Sequence, residues 1–153
     1  MHTLAHAYRY PQASAVQAPA QAGAAPRLAL ATSSMGQGAA QDLHPHFFEG
    51  RLHQPRLVAE LLSTVHLVVG ARFFTPANSV AKALRLADPV VTAGGAWLRF
   101  EGFSGCCSCY VRVDLMPQAY DGQVLGKGTT NVDFNAPMRA ALARLRDADG
   151  LQL

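Results

Sequence analysis

The sequence predicts an α+β fold, in which a small antiparallel β-sheet is packed by two or three helices and preceded by a disordered leader. Separate stretches show apolar residues at helical spacing and apolar residues that alternate with polar ones, while residues 1–43 show neither pattern. The 153 residues are 50% apolar and 15% charged, a composition that suits one domain with a buried core.

Residues 1–43 are rich in alanine, proline and glutamine. Such a segment buries too little apolar surface to offset the conformational entropy of ordering it, so we expect a flexible leader. The character changes at His44, where the sequence His-Pro-His-Phe-Phe brings two adjacent aromatic residues. We therefore place a boundary at this point, with an α+β domain over residues 44–153.

Three helices are predicted in this domain. The first covers about 55–70, since Pro55 suits the first turn of a helix and is followed by apolar residues at helical spacing. A shorter helix is predicted over about 77–86 and is ended by Asp88-Pro89. The third begins after Asn135, which we expect to cap it, and its apolar stripe consists of Met138, Ala141, Leu142 and Leu145.

Between these helices the pattern changes to strands. Residues 90–92 and 96–101 flank Gly94-Gly95, a dipeptide that supports the positive φ angles of a tight hairpin. Alternation over 107–115 predicts a third strand with one buried face, and 129–133 predicts a further strand or extended arm.

The last three residues, Leu151 to Leu153, resemble the start of a strand that has no partner. We therefore expect the domain to be truncated at this strand. On this view the rest of a larger polypeptide is missing.

Charge and hydropathy exclude several classes of protein. The net charge of +3 is too small to form the basic patch of a typical nucleic-acid-binding domain. No apolar stretch approaches the ~20 residues that span a bilayer, and the N-terminus lacks the pattern of a signal peptide. The three cysteines lie within residues 106–109 and cannot form a disulfide framework, so we expect a cytoplasmic protein without membrane association.

The cysteine cluster is the first candidate site. Cys107 and Cys109 would supply two zinc ligands if upstream histidines, such as His44 and His46, completed the set. Alternatively, both thiols point into the core and act as small apolar side chains. A third interpretation, a nucleophilic thiol at Cys106 or Cys107, requires a nearby base, and the only histidine in a predicted helix is His66.

The second candidate site lies on the exposed face of the predicted sheet. Trp97, Arg99, Tyr110 and Arg112 would form an aromatic and basic surface that suits single-stranded nucleic acid or another partner. The alternative is an ordinary outer face of the sheet, or one covered by helices.

Three segments, 88–92, 98–107 and 128–142, resemble the N-terminal region of bacterial SWIM zinc-finger family proteins. The resemblance as a whole covers about residues 44–153. In that family the region precedes a Cys-x-Cys…Cys-x-His finger, of a class associated with binding DNA or protein. Cys107-Ser108-Cys109 matches the first half of such a finger, but no Cys-x-His follows it. The resemblance therefore implies a non-enzymatic module that acts in protein or nucleic-acid interaction, and it transfers no zinc ligands.

Overall fold

The computed structural model describes residues 10–33, 46–72 and 88–153. The helix predicted over 77–86 lies outside these ranges. In chain order the elements are the strands and helices β1 (Ala15–Gln17), β2 (Arg27–Ala29), β3 (Phe48–Leu52), α1 (Pro55–Gly70), β4 (Val90–Ala93), β5 (Leu98–Phe103), β6 (Tyr110–Leu115), β7 (Tyr120–Val124), β8 (Gly128–Asn131) and α2 (Ala136–Leu142). All strand pairs between these elements are antiparallel, so the predicted α+β class is confirmed.

A four-stranded antiparallel sheet in the order β6-β5-β4-β8 forms the centre of the fold. The hairpin predicted between β4 and β5 is present, with Gly95 at φ +75° and the Gly94 amide donating to the Trp97 carbonyl over 3.1 Å. The inner face of the sheet is apolar, as the alternation predicted, and Phe100 at its centre is fully buried.

Helix α1 packs on the β5 and β6 half of this inner face. It begins at Pro55, where the sequence predicted it, and its buried stripe consists of Val58, Ala59, Leu62, Val65 and Val69. The end of the helix approaches β5 closely, because Gly102 has no side chain there. A Cβ at Gly102 would lie 2.4 Å from Cγ2 of Val69.

Residues 151–153 lie between β2 and β3, and β7 pairs with the other edge of β3. Gln152 is bridged to Arg27 on one side and to Arg51 on the other. Its carbonyl accepts a hydrogen bond from the Leu28 amide over 2.6 Å, and the side chain of Leu151 is fully buried. The prediction that this strand has no partner is wrong, because its partners come from distant parts of the chain that a local pattern does not reveal.

Residues 10–33 differ from the predicted flexible leader. They form a hairpin of β1 and β2 whose Leu28 is buried in the common core. The Ser14 amide donates to Oδ2 of Asp133 over 3.0 Å, and the Ser14 hydroxyl accepts from the Ala31 amide over 2.8 Å. These long-range contacts order a segment whose own composition would not, so the fold extends before residue 44. The remainder of the predicted leader lies outside the described ranges.

Helix α2 completes the core. Oδ1 of Asn135 accepts a hydrogen bond from the Met138 amide over 2.9 Å, so the predicted cap is present. The Nδ2 group of Asn135 donates to Ser14 and Asp133, which links the cap to the N-terminal hairpin. Neither α1 nor α2 has the length and apolar character that a bilayer crossing requires.

Candidate interaction surface

The outer face of β5 and β6 brings together the four surface residues that the sequence singled out. In the register of these strands Arg99 pairs with Asp114, Glu101 with Arg112, and Phe103 with Tyr110. Since side chains alternate between the two faces of a strand, these three pairs lie on the face opposite the core. Trp97, just before β5, contacts Arg99 on the same face. We call these seven residues the β5–β6 face.

Asp114 holds both arginines of this face. It accepts hydrogen bonds from Nε of Arg99 over 2.7 Å and from Nε of Arg112 over 2.9 Å. The hydrogen bonds from Arg112 and Arg99 favour the ionised carboxylate and lower the pKa of Asp114 to about 2. The carboxylate is only 20% exposed, so both guanidinium groups are fixed against a partly shielded charge.

Trp97 also contacts Arg99. Cζ of Arg99 lies 4.5 Å from the centroid of the indole ring, a distance at which the cation is attracted to the ring face. The guanidinium thus contacts both an aromatic ring and a carboxylate. Arg99 therefore presents a fixed surface, with little of the rotamer freedom that an isolated arginine has.

An exposed aromatic pair lies at the end of this face. The side chains of Phe103 and Tyr110 are 61% and 47% exposed, and their ring centroids are 5.0 Å apart. The Tyr110 hydroxyl donates to Glu101, and this hydrogen bond raises the pKa of Tyr110. Phe103 is not among the four residues that the sequence predicts for this surface. The alternation of Trp97, Arg99 and Glu101 reaches Phe103 when the strand is extended by two residues, and the register places it opposite Tyr110.

The cysteines lie in the loop that connects β5 to β6. This loop is closed by a hydrogen bond from the Ser104 amide to the Cys109 carbonyl over 2.8 Å, and the strand begins only at Tyr110. Cys107 has φ +57°, outside the strand conformation, and both Cys107 and Cys109 are exposed. The expectation that these two thiols point into the core is therefore wrong.

The described residues do not complete the zinc site considered for Cys107 and Cys109. Within residues 10–33, 46–72 and 88–153, no three or more His, Cys, Asp or Glu side chains are grouped so as to hold a metal ion. His46 instead makes a hydrogen-bond contact with the Phe48 carbonyl over 3.1 Å. His44 lies outside the described ranges.

His66, the candidate base, packs against Phe134. Its ring stacks on Phe134 with centroids 6.3 Å apart, and Nδ1 is buried with no hydrogen-bond partner among the described residues. Burial lowers the pKa of His66. Burial also raises the pKa of Asp88, whose carboxylate accepts a hydrogen bond from the Tyr10 hydroxyl. Among the described residues, no hydrogen bond or ion pair joins His66 to Cys107 or Cys109.

Comparison with known proteins gave no match to any family model, curated protein or solved structure. The resemblance to the N-terminal region of SWIM zinc-finger proteins stays a prediction.

Proposed function

We propose that this chain is a non-enzymatic interaction module and that the β5–β6 face binds a partner protein. The observation that carries the proposal is the exposed pair of Phe103 and Tyr110 beside a set of fixed charges. Solvent-exposed aromatic side chains in contact with each other are costly to leave in water and are enriched at binding hot spots.

The charges of this face favour protein over nucleic acid. Arg99 and Arg112 are balanced by Glu101 and Asp114, and both guanidinium groups are bound to Asp114. Affinity for nucleic acid comes mainly from cations that neutralise phosphates and release counterions. Asp114 already neutralises part of the charge of both arginines, so a phosphate that binds here gains less of that driving force.

The rigidity of the face also supports binding. A side chain that is already held in one rotamer loses less entropy when a partner covers it. Arg99 is held by Trp97 and Asp114, and Tyr110 is held by Glu101. A partner that fits this face carries an apolar group that covers the two rings. Around that group its surface has polar side chains or charges of both signs, and no large net charge.

The setting of the module is proposed from the sequence. The three clustered cysteines favour a reducing compartment, and hence the cytoplasm. The resemblance to bacterial SWIM zinc-finger proteins favours a role as the N-terminal part of a larger polypeptide.

A photo-crosslinking experiment tests the proposal. The photoreactive amino acid p-benzoylphenylalanine replaces Phe103 in the full chain within its native host, and a matched chain carries it at Leu67, which is 67% exposed on α1. We expect a discrete protein adduct from position 103 that Tyr110→Ser reduces strongly, and no such adduct from position 67. Equal adducts from both positions would contradict the proposal, and so would an adduct at 103 that nuclease removes.

Folding controls accompany this test. Phe103 and Tyr110 form an exposed cross-strand aromatic pair of the kind that contributes roughly 0.2–1 kcal/mol, so Phe103→Ser and Tyr110→Ser should each lower the free energy of unfolding by about 1 kcal/mol or less and leave the fold intact. A loss of adduct in a variant that unfolds like the wild type is then a loss of binding.

A further inference from the structure

The edge of the four-stranded sheet at β6 is open among the described residues. The Ser104 amide donates to the Cys109 carbonyl over 2.8 Å, so the backbone groups of Cys109 face β5. Because these groups alternate in direction along an antiparallel strand, those of Tyr110, Arg112 and Asp114 face away from β5. In the part of the chain that the structure describes, no backbone hydrogen bond reaches these three residues from the open edge.

The two edges of this sheet differ. At β8 the edge is covered, since the Ser33 amide donates to the Asn131 carbonyl over 3.0 Å. β6 contains no proline, lysine or β-bulge, the features that commonly protect an exposed edge from pairing. Its inward side chains Val111 and Val113 pack against the core but are only half-buried. A strand of this kind gains both hydrogen bonds and apolar contacts when another strand pairs with it.

Helix α1 carries an apolar flank on the same side of the fold. Leu57, Leu61 and Val68 lie on one flank of the helix and His66 lies on the opposite one, since each residue advances the helix by about 100°. His66 stacks on Phe134, which follows β8 at the far edge of the sheet. The flank of Leu57 therefore faces the β6 side. Leu57 is 47% exposed, and Leu61 and Val68 are half-buried, so a strand added at β6 would have an apolar neighbour on the helix.

We propose that the β6 edge pairs with the β6 edge of a second copy of this chain, antiparallel and with the two-fold axis at Val113. In this register Arg112 of each copy lies opposite Asp114 of the other. Both residues direct their backbone groups at the open edge, so each such pair exchanges two hydrogen bonds. The two four-stranded sheets become one sheet of eight strands.

The charges of β6 select this register. An axis at Arg112 would place two arginines opposite each other, and an axis at Asp114 would do the same with two aspartates. Like charges directly opposite destabilise a strand pair, and an axis at Val111 or Leu115 forms no charge pair. An axis between two residues would set groups that face the open edge against groups that face β5, so no ladder forms. Only the axis at Val113 satisfies both the hydrogen bonds and the charges.

Sedimentation equilibrium of the purified full chain tests the proposal. We expect a mass of twice 16.3 kDa at a chain concentration of about 0.1 mM, with dissociation on dilution. Arg112→Pro removes an amide at the open edge and keeps the pairing with β5, whereas Arg112→Ala keeps the amide. The proline variant should dissociate at least about tenfold more readily than the alanine variant. A monomeric wild type would overturn the proposal, and so would a folded proline variant that dissociates like the alanine variant.

Disulfide cross-linking tests the register, in a chain whose cysteines at 106, 107 and 109 are replaced by serine. Across the proposed axis the two Val113 residues form a non-hydrogen-bonded pair, whose Cα atoms lie ~4.5 Å apart, within the range of a disulfide. Val111→Cys is the matched control, because its two copies are four residues out of register, roughly 13 Å apart along the strands. We expect mild oxidation to give a covalent dimer of Val113→Cys and not of Val111→Cys. Equal cross-linking of the two variants, or none in Val113→Cys, would overturn the proposal.

Phe103→Ser separates this pairing from the binding of a partner protein by the β5–β6 face. Phe103 lies on β5, one strand away from the proposed axis, so its replacement should leave the dissociation of the dimer unchanged. A Phe103→Ser variant that dissociates at least about tenfold more readily than the wild type would contradict pairing through the edge. The failure of either proposal therefore does not decide the other.

Discussion

Substitution of Leu151 by alanine tests the pairing of residues 151–153 most directly. The Leu151 side chain is 0% exposed and belongs to the common core. Replacing a buried leucine by alanine removes its transfer free energy and leaves a cavity, at a combined cost of ~2–5 kcal/mol. We expect Leu151→Ala to lower the free energy of unfolding by about 3 kcal/mol, because the residue lies between two strands that limit how far the site can collapse.

The backbone of the same strand allows a second measurement. The Gln152 amide donates to the Pro26 carbonyl over 2.9 Å, while the Gln152 side chain is exposed. Gln152→Pro removes this donor, leaves the carbonyl without its partner and should cost about 2 kcal/mol or more. Gln152→Ala keeps the amide and should change the free energy of unfolding by no more than about 0.5 kcal/mol.

Urea unfolding followed by circular dichroism at neutral pH measures each variant, with Leu67→Ala as the control. Leu67 is 67% exposed, so this control should stay within about 0.5 kcal/mol of the wild type. If Leu151→Ala cost less than about 1 kcal/mol, close to the control, residues 151–153 would not be packed between β2 and β3.

Three further predictions concern the cap, the charges and the strand pair β3–β7. Asn135→Ala should cost about 1–2 kcal/mol in urea unfolding, because it removes the α2 cap and its links to the hairpin; an unchanged midpoint would contradict this role. The folded-state pKa of Asp114 is about 2, below its ordinary 3.8, so its ion pairs stabilise the fold above pH 3.8 and are lost as the pH falls towards 2. The thermal midpoint of Asp114→Asn should therefore change less than that of the wild type as the pH falls over this range. A pH profile identical to that of the wild type would contradict this role of Asp114. Gly122→Ala should lower the thermal midpoint, since its Cβ would lie 2.3 Å from β3 backbone, whereas Gly70→Ala meets no atom within 4 Å and should not lower it.

The elements predicted from the sequence are those whose signals are local. Helix α1 has its proline start and apolar stripe within sixteen residues, and the β4–β5 hairpin has its glycine turn between two alternating strands. The Asn135 cap is equally local, since donor and acceptor are three residues apart. In each case the determining contacts lie within one short window of the sequence.

The strands that the sequence missed depend on distant partners. β2 has three residues, of which only Leu28 is buried, and it is held by the Gln152 carbonyl and by β1. Similarly, the middle of β7 consists of the exposed residues Asp121, Gly122 and Gln123, and the strand forms because β3 lies beside it. A window of ten residues contains neither partner, so composition alone indicated a flexible segment or a loop.

The candidate site was predicted in position but not in electrostatics. Alternation correctly placed Arg99 and Arg112 on one outer face, which suggested a basic surface. The pairing of both with Asp114 follows from the register between β5 and β6, and that register is set by a six-residue loop of 104–109. Alternation continued through this loop places Cys107 and Cys109 on a strand, whereas the strand begins only at Tyr110.

The anchoring of the first hairpin also has a consequence for how the protein folds during synthesis. Ser14 and its partner Asp133 are 119 residues apart, so the N-terminal hairpin leaves the ribosome long before the residues that hold it are made. At ~5–20 residues per second, this delay is roughly 6–24 s. Until Asp133 is made the hairpin lacks this anchor, and a ribosome-bound chain that ends before residue 133 should present the hairpin to chaperones and proteases.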